Sequence, residues 1–263
     1  MGNYLTERFL RLPDGTLPHM GVKGDGDVAP YVLLSGDPGR VEKIKTWLDE
    51  AQAVGKERGY IAYTGTYRNT PVTLASTGVG APSAAIALEE LALAGGKVFI
   101  RVGSCASVAE NIPIGDVVIG TGGVRDEGVS HTYAPSIYPA IADPDVVAAL
   151  RAAAEAEGTP YHLGLVRSTD SFYEGERKVE IIEKWRDLRV LVFEMESSAL
   201  FTIAMVRGLR SGSILVPGSN LVTGQKSTYQ GQQAEEFTAG IDAAIATALG
   251  AVERLHTASK EVE

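Results

Sequence analysis

The sequence holds one cysteine, Cys105, among 263 residues, and neither a Cys-x-x-Cys nor a His-Glu-x-x-His pattern. A single cysteine excludes an intrachain disulfide framework and fits a reducing, cytoplasmic setting. In its apolar stretch it reads as a small buried hydrophobe rather than a reactive thiol. Four histidines without metal-ligand spacing leave no transition-metal signature. No run reaches the about 18 continuous apolar residues of a membrane span, and no charged-then-apolar signal segment opens the chain. Basic residues are in deficit: 24 Lys and Arg against 33 Asp and Glu give a net charge of −9. That argues against nucleic acid or an anionic membrane as a general partner. No Pro/Ser-rich linker and no internal repeat divide the sequence. The expectation is one domain over residues 1–263, with a polar, Gly-rich arm over 1–25 and a frayed tail over 256–263.

What is there is an alternation of strand-like and helix-like segments. Strands are expected at Tyr31–Ser35, Tyr60–Thr66, Pro71–Ser76, around Arg101, and at Asp116–Thr121, Tyr161–Ser168, Leu188–Phe193 and Ser213–Pro217. Helices are expected at Val41–Asp49, Ala84–Ala94, Asp143–Glu157, Lys178–Arg186, Met195–Arg207 and Ala234–Leu255. This pattern predicts an α/β fold, a three-layer αβα sandwich around a mixed, largely parallel sheet. In such sheets ligands sit at the carboxyl ends of strands.

The strand ends carry a consistent chemistry. Arg101 interrupts the apolar run Val98-Phe-Ile-Arg-Val102, where a charge is expensive unless an anion meets it. Gly103 and Ser104 follow, a turn that admits a ligand and offers a hydroxyl. An edge-strand position or an internal ion pair would also account for Arg101. Gly36-Asp-Pro-Gly-Arg40 supplies free N–H groups, a helix start and a second arginine, which suits an oxyanion. Gly78-x-Gly80 is only half a dinucleotide fingerprint, so a Rossmann dehydrogenase is rejected. Glu194 and Glu196, one residue apart in extended chain, point to one face and could accept the paired hydroxyls of a sugar. Capping of the next helix is the alternative. Arginines for an oxyanion and carboxylates for a polyol suit phosphate plus a pentose.

Gly36-Asp-Pro-x-Arg40, Ser76-Thr-Gly-x-Gly80, Ile100-Arg-Val-Gly-Ser104 and Glu194-Met-Glu-Ser197 together resemble the ordered motif set of the nucleoside phosphorylase I family. The text around them, including Pro18-His-Met-Gly21, Gly80-Ala-Pro-Ser83 and Phe172-Tyr-Glu-Gly175, is most similar to uridine phosphorylases. The resemblance covers about His19 to Leu249. It implies phosphorolysis of a nucleoside to free base and (deoxy)ribose 1-phosphate, with no metal or organic cofactor and with phosphate as co-substrate. It also implies that Gly36, Arg40, Arg101 and Ser104 bind phosphate, and that a neighbouring subunit lends Arg58. His19 would reach across the same interface to the ribose 5′-hydroxyl. Met195 and Glu196 would hold the ribose, Glu196 on the 2′- and 3′-hydroxyls, and Phe172 would stack on the base. Arg101, Glu196 and Ser104 would carry catalysis. The catalytic unit would be a homodimer, assembled into a hexamer or trimer.

Two positions depart from the resemblance. Where uridine enzymes carry a glutamine and, two residues on, an arginine, this sequence has Glu176-Arg177-Lys178. A gapless reading puts Glu176 and Lys178 there; a shifted one keeps Arg177. An ionised glutamate only accepts, which suits guanine better than uracil unless Arg177 or Lys178 donates. Asn220 falls where bacterial purine enzymes carry an aspartate, and an amide cannot protonate a base. Gly59 stands where the glutamate of a monovalent-cation site would be. A purine (inosine or guanosine) phosphorylase, a nucleosidase using water, and a non-catalytic nucleoside-binding protein are the competing readings. The arginine set and Ser104 speak against the nucleosidase.

Overall fold

The computed structural model describes residues 11–24, 26–173, 175, 178–227 and 231–260. It is an α/β fold on one mixed sheet. The strands are β1 (Tyr31–Ser35), β2 (Asp49–Glu57), β3 (Tyr60–Tyr67), β4 (Thr70–Ser76), β5 (Val98–Ser107), β6 (Val117–Asp126), β7 (Ala140–Ile141), β8 (Tyr161–Thr169), β9 (Val190–Glu194) and β10 (Arg210–Asn220). The helices are α1 (Pro38–Lys45), α2 (Ala81–Leu93), α3 (Ser130–Tyr133), α4 (Pro144–Glu157), α5 (Lys178–Asp187), α6 (Ser197–Arg207) and α7 (Gln232–Lys260).

Local chemistry starts and stops the helices. Asp37 caps α1 by accepting the Gly39 N–H at 2.8 Å, with Pro38 preset in the first turn. Asp143 caps α4 in the same way, and Gly158 ends that helix in the left-handed region at φ 65°.

The sheet has two regimes. From β5 outward, β1, β4, β3 and β2 follow in order as an open sheet, parallel at β5–β1–β4 and antiparallel beyond. On the other side β9, β8, β6 and β10 follow, and β10 returns to pair with β5 in parallel, so this half closes on itself. Val118, Val166, Val192 and Leu215, with Cys105 against them, fill the ring from all five of its strands. The open half buries both faces. Leu33, Val72 and Ile100 join α1, α4 and α7 on one face; Val32, Leu34 and Phe99 join α2 and α6 on the other.

β5 changes partner where the regimes meet. Its last pair with β1 is Leu34–Arg101, and its first with β9 is Ala106–Phe193. Residues 102–105 lie between the two, at a topological switch point, where such sheets take ligands in a crevice.

Three features go beyond the sequence pattern. β2 was missing from the sequence reading; its text, Asp49-Glu-Ala-Gln-Ala-Val-Gly-Lys-Glu57, is polar and mostly exposed because it is the edge of the open sheet. Within residues 11–24, Leu17, Met20 and Val22 are fully buried in the α2/α6 cluster. α7 runs on to Lys260.

Candidate active site at the strand ends

Arg101 is 6 % exposed and lies on β5, which is paired with β1, β9 and β10. It is therefore no edge residue. Its Nε donates to Glu194 Oε2 at 3.0 Å, and its Nη2 lies 2.5 Å from Glu196 Oε2. Burial alone would lower the guanidinium pKa; Glu196 and Glu194 outweigh it, and the net shift is upward. The two carboxylates of the Glu-Met-Glu segment thus face one cation, as their spacing predicts.

They do different work. Glu194 accepts the backbone N–H groups of Glu196 and Ser197 at 2.9 and 3.0 Å and the Ser168 hydroxyl, so it caps α6 while it holds Arg101. Ser168 in turn accepts the Ser198 N–H at 2.8 Å. Glu196 makes no capping bond from its side chain. It reaches instead to the Gly80 N–H at 2.6 Å, at the start of α2. Burial, with Glu194 nearby, raises its pKa above the ordinary glutamate value against the pull of Arg101.

Arg40 joins this group from α1, donating Nη1 to the Val102 carbonyl at 3.2 Å. Burial, then Arg101, brings its pKa down to about 10, so it stays charged at neutral pH. Two cations this close want an anion between them. The backbone makes room: a Cβ on Gly103 would meet Arg101 Cζ at 2.7 Å, and one on Gly36 would meet the Gly78 carbonyl at 3.1 Å. Ser104 is exposed beside them on β5, and its hydroxyl has no hydrogen-bond partner among the described residues. Cys105 follows, its thiol pushed upward in pKa by burial, in keeping with an inert hydrophobe.

The other expected residues are more exposed. Met195 is half-buried between the two glutamates. Arg58 is exposed on the β2–β3 turn at φ 48°. His19 is half-exposed, with Nδ1 on Glu90 Oε1 at 2.7 Å. Their loops touch: a Cβ on Gly21 would meet Glu57 Cγ at 2.9 Å. Phe172 is 73 % exposed and stacks edge-on with Tyr173, centroids 5.0 Å apart. Lys178 is exposed at the start of α5, and Glu176 and Arg177 lie outside the described residues.

Asn220, expected at the base, is engaged with backbone. Its Nδ2 donates to the Ala109 and Ile112 carbonyls at 2.9 and 3.0 Å, and its Oδ1 accepts from Val222 and Thr223 at 3.0 Å each. The amide is fully used in tying the loop after β5 to the turn after β10, and has nothing left for a base.

The sequence reading missed Ser168 and Glu90. Glu90 had a signal: Glu89-Glu90 sits in a helix that is otherwise apolar, so both cannot face water. Glu89 is held by Arg207 and Glu90 by the His19 loop.

The sequence model of the phosphorylase superfamily matches residues 30–256. A uridine phosphorylase of Thermococcus kodakarensis is 44 % identical over 223 residues, 81 % of this chain and 80 % of that one. A guanosine phosphorylase of Halorubrum lacusprofundi is 36 % identical over 240 residues, 90 % of this chain and 98 % of its own. The crystal structure of a uridine phosphorylase from Vibrio fischeri superposes with a TM-score of 0.83 at 33 % identity, covering 91 % of this chain and 98 % of that one.

Proposed function

The chain belongs to the phosphorylase superfamily, and on that premise we propose that it is a nucleoside phosphorylase, cleaving uridine or a related pyrimidine nucleoside with inorganic phosphate to free base and (deoxy)ribose 1-phosphate. One observation carries the reading. A buried strand-end arginine, Arg101, stands beside a second arginine and 2.5 Å from a carboxylate suited to a polyol. Phosphate would sit among Gly36, Arg40, Arg101 and Ser104. On binding it takes the place Glu196 holds on Arg101, and Glu196 turns to the ribose 2′- and 3′-hydroxyls beside Met195.

The glycosidic bond then stretches and the ribose gains oxocarbenium character. Phosphate, fixed beneath the ring, stabilises that charge and forms the bond to C1′ as the base leaves with the bonding electron pair. Positioning and electrostatics do most of the work. Charge-assisted hydrogen bonds of about 1.5–3 kcal/mol each hold the phosphate. The reading invokes no cofactor, and phosphate is the co-substrate.

The exposed pair His19 and Arg58 supports a homodimer with sites shared across its interface, His19 at the 5′-hydroxyl and Arg58 at the phosphate. A hexamer of such dimers, a cytoplasmic location and a role in nucleoside salvage complete the reading. No described helix is long and apolar enough to cross a membrane. Helix-covered clusters on both faces of the open half support the three-layer description there. Phe172, Glu176, Arg177 and Lys178 remain the candidates for reading the base. The guanosine-cleaving relative, which spans more of the chain, favours 6-oxopurine nucleosides as the second reading.

The test is base release from uridine, thymidine, cytidine, inosine, guanosine and adenosine, each with and without phosphate. We expect phosphate-dependent release, fastest from uridine. Release without phosphate would sink phosphorolysis; purine-only release would select the second reading.

A further inference from the structure

Glu90 sits in α2 at 4 % exposure, away from the strand-end crevice. Its carboxylate collects one loop. It accepts the His19 N–H at 3.1 and 3.2 Å, the Met20 N–H at 2.7 Å and the His19 ring at Nδ1, 2.7 Å. An ionised carboxylate can only accept, so the imidazole must donate from Nδ1. Nε2 has no partner among the described residues; in a neutral ring that donates from Nδ1 it is the acceptor nitrogen.

The loop beneath is held firmly. Leu17, Met20 and Val22 are fully buried, Leu17 N–H donates to the Val22 carbonyl at 2.8 Å, and Gly21 N–H to the Leu17 carbonyl at 2.9 Å. Gly21 turns at φ 71° tight against Glu57, and a Cβ on Gly55 would meet the Met20 carbonyl at 2.4 Å. Buried packing below and Glu90 beside fix where the ring stands. That is more support than an exposed loop histidine needs for its own sake.

We propose that Glu90 is a positioning residue that locks His19 in its Nδ1–H tautomer, so that Nε2 accepts a hydrogen bond and the enzyme selects substrates carrying a donor at the 5′ carbon. This rests on the reading of His19 as the 5′ contact in the neighbouring subunit's site. Nucleosides with a free 5′-hydroxyl are then preferred over their 5′-deoxy counterparts, and the preference belongs to the His19–Glu90 pair rather than to the crevice.

The experiment measures kcat/KM for uridine and 5′-deoxyuridine in the wild type, His19→Ala, Glu90→Gln and the double variant, with inosine and 5′-deoxyinosine as the pair if purines are the substrates. Each single variant should lower the hydroxyl-to-deoxy ratio about ten-fold, the loss of one hydrogen bond. The loss should fall on the hydroxyl substrate alone, and the double variant should lose no more. An unchanged ratio in His19→Ala would overturn the reading of His19. A lowered ratio there with a wild-type ratio in Glu90→Gln would overturn the role of Glu90 alone. Equal loss on both substrates in Glu90→Gln would reduce Glu90 to a fold-keeping residue. A second readout is the ¹⁵N spectrum of the imidazoles, with His19 identified by its absence in His19→Ala. It should show the Nδ1–H form in the wild type and lose it in Glu90→Gln. An Nε2–H form in the wild type would overturn the proposal.

Discussion

The proposed site has two halves built on opposite terms. In the strand-end half, Arg101, Glu194 and Glu196 are buried where the open and closed parts of the sheet separate and are paired with one another, with Arg40 half-buried beside them on a backbone carbonyl. The rim half, His19 and Arg58, is exposed on loops at the edge of β2, with one ring nitrogen and one guanidinium free of partners among the described residues. A charge buried with good partners keeps its place in the empty protein, where an unpaired one would be costly. In the proposed dimer a charge meant for a neighbouring subunit waits in water, and only its base is fixed: His19 by Glu90, Arg58 by its hairpin.

The largest effect should come from the buried half. Arg101→Ala removes the shared cation and leaves Glu194 and Glu196 facing each other. Phosphate-dependent kcat/KM should fall by about 10³-fold or more, with a loss of stability of about 3–5 kcal/mol. Near wild-type turnover would move the anion site elsewhere.

Next, Glu196 must be ionised to accept two ribose hydroxyls. Its pKa is raised in the folded protein, so activity should be lost, as pH falls, at a higher pH than an ordinary glutamate would set. Glu196→Gln should cost about 10²-fold and abolish that acid limb. A limb that survives the substitution belongs to another group.

The rim half should give the smallest change and the sharpest contrast. Arg58→Ala should raise KM for phosphate about ten-fold. Mixed with Arg101→Ala and reassembled, it should recover activity, since one site of each mixed dimer regains both arginines. No recovery after subunit exchange would place Arg58 in its own chain's site and end the distinction between the halves.

Most of the strands and helices were legible because their apolar periodicity is strong and Asp, Pro and Gly mark their ends. The edge strand β2 was not, because a strand with little burial carries no apolar pattern. The strand-end residues were legible for a related reason: charge inside an apolar run stands out without knowledge of its partners. Asn220 shows the limit. An amide after a strand could face a ligand or the backbone, and only the approach of the Ala109–Ile112 loop decides that it faces the backbone. Glu90 stood in the sequence as an acidic residue in an apolar helix, with nothing to say that its partner lay 71 residues earlier.

The sequence by itself determined the order of most strands and helices, the buried arginine, and the meeting of arginines with paired carboxylates at the strand ends. These are local properties, set by hydrophobic spacing and by the cost of burying charge. Tertiary structure alone decided that half of the sheet closes on itself and that Arg101 stands where β5 exchanges β1 for β9. It also divided the hydrogen bonds of the two glutamates and set His19 against Glu90. Each of these depends on groups distant in sequence meeting within hydrogen-bonding distance, and no local pattern specifies that.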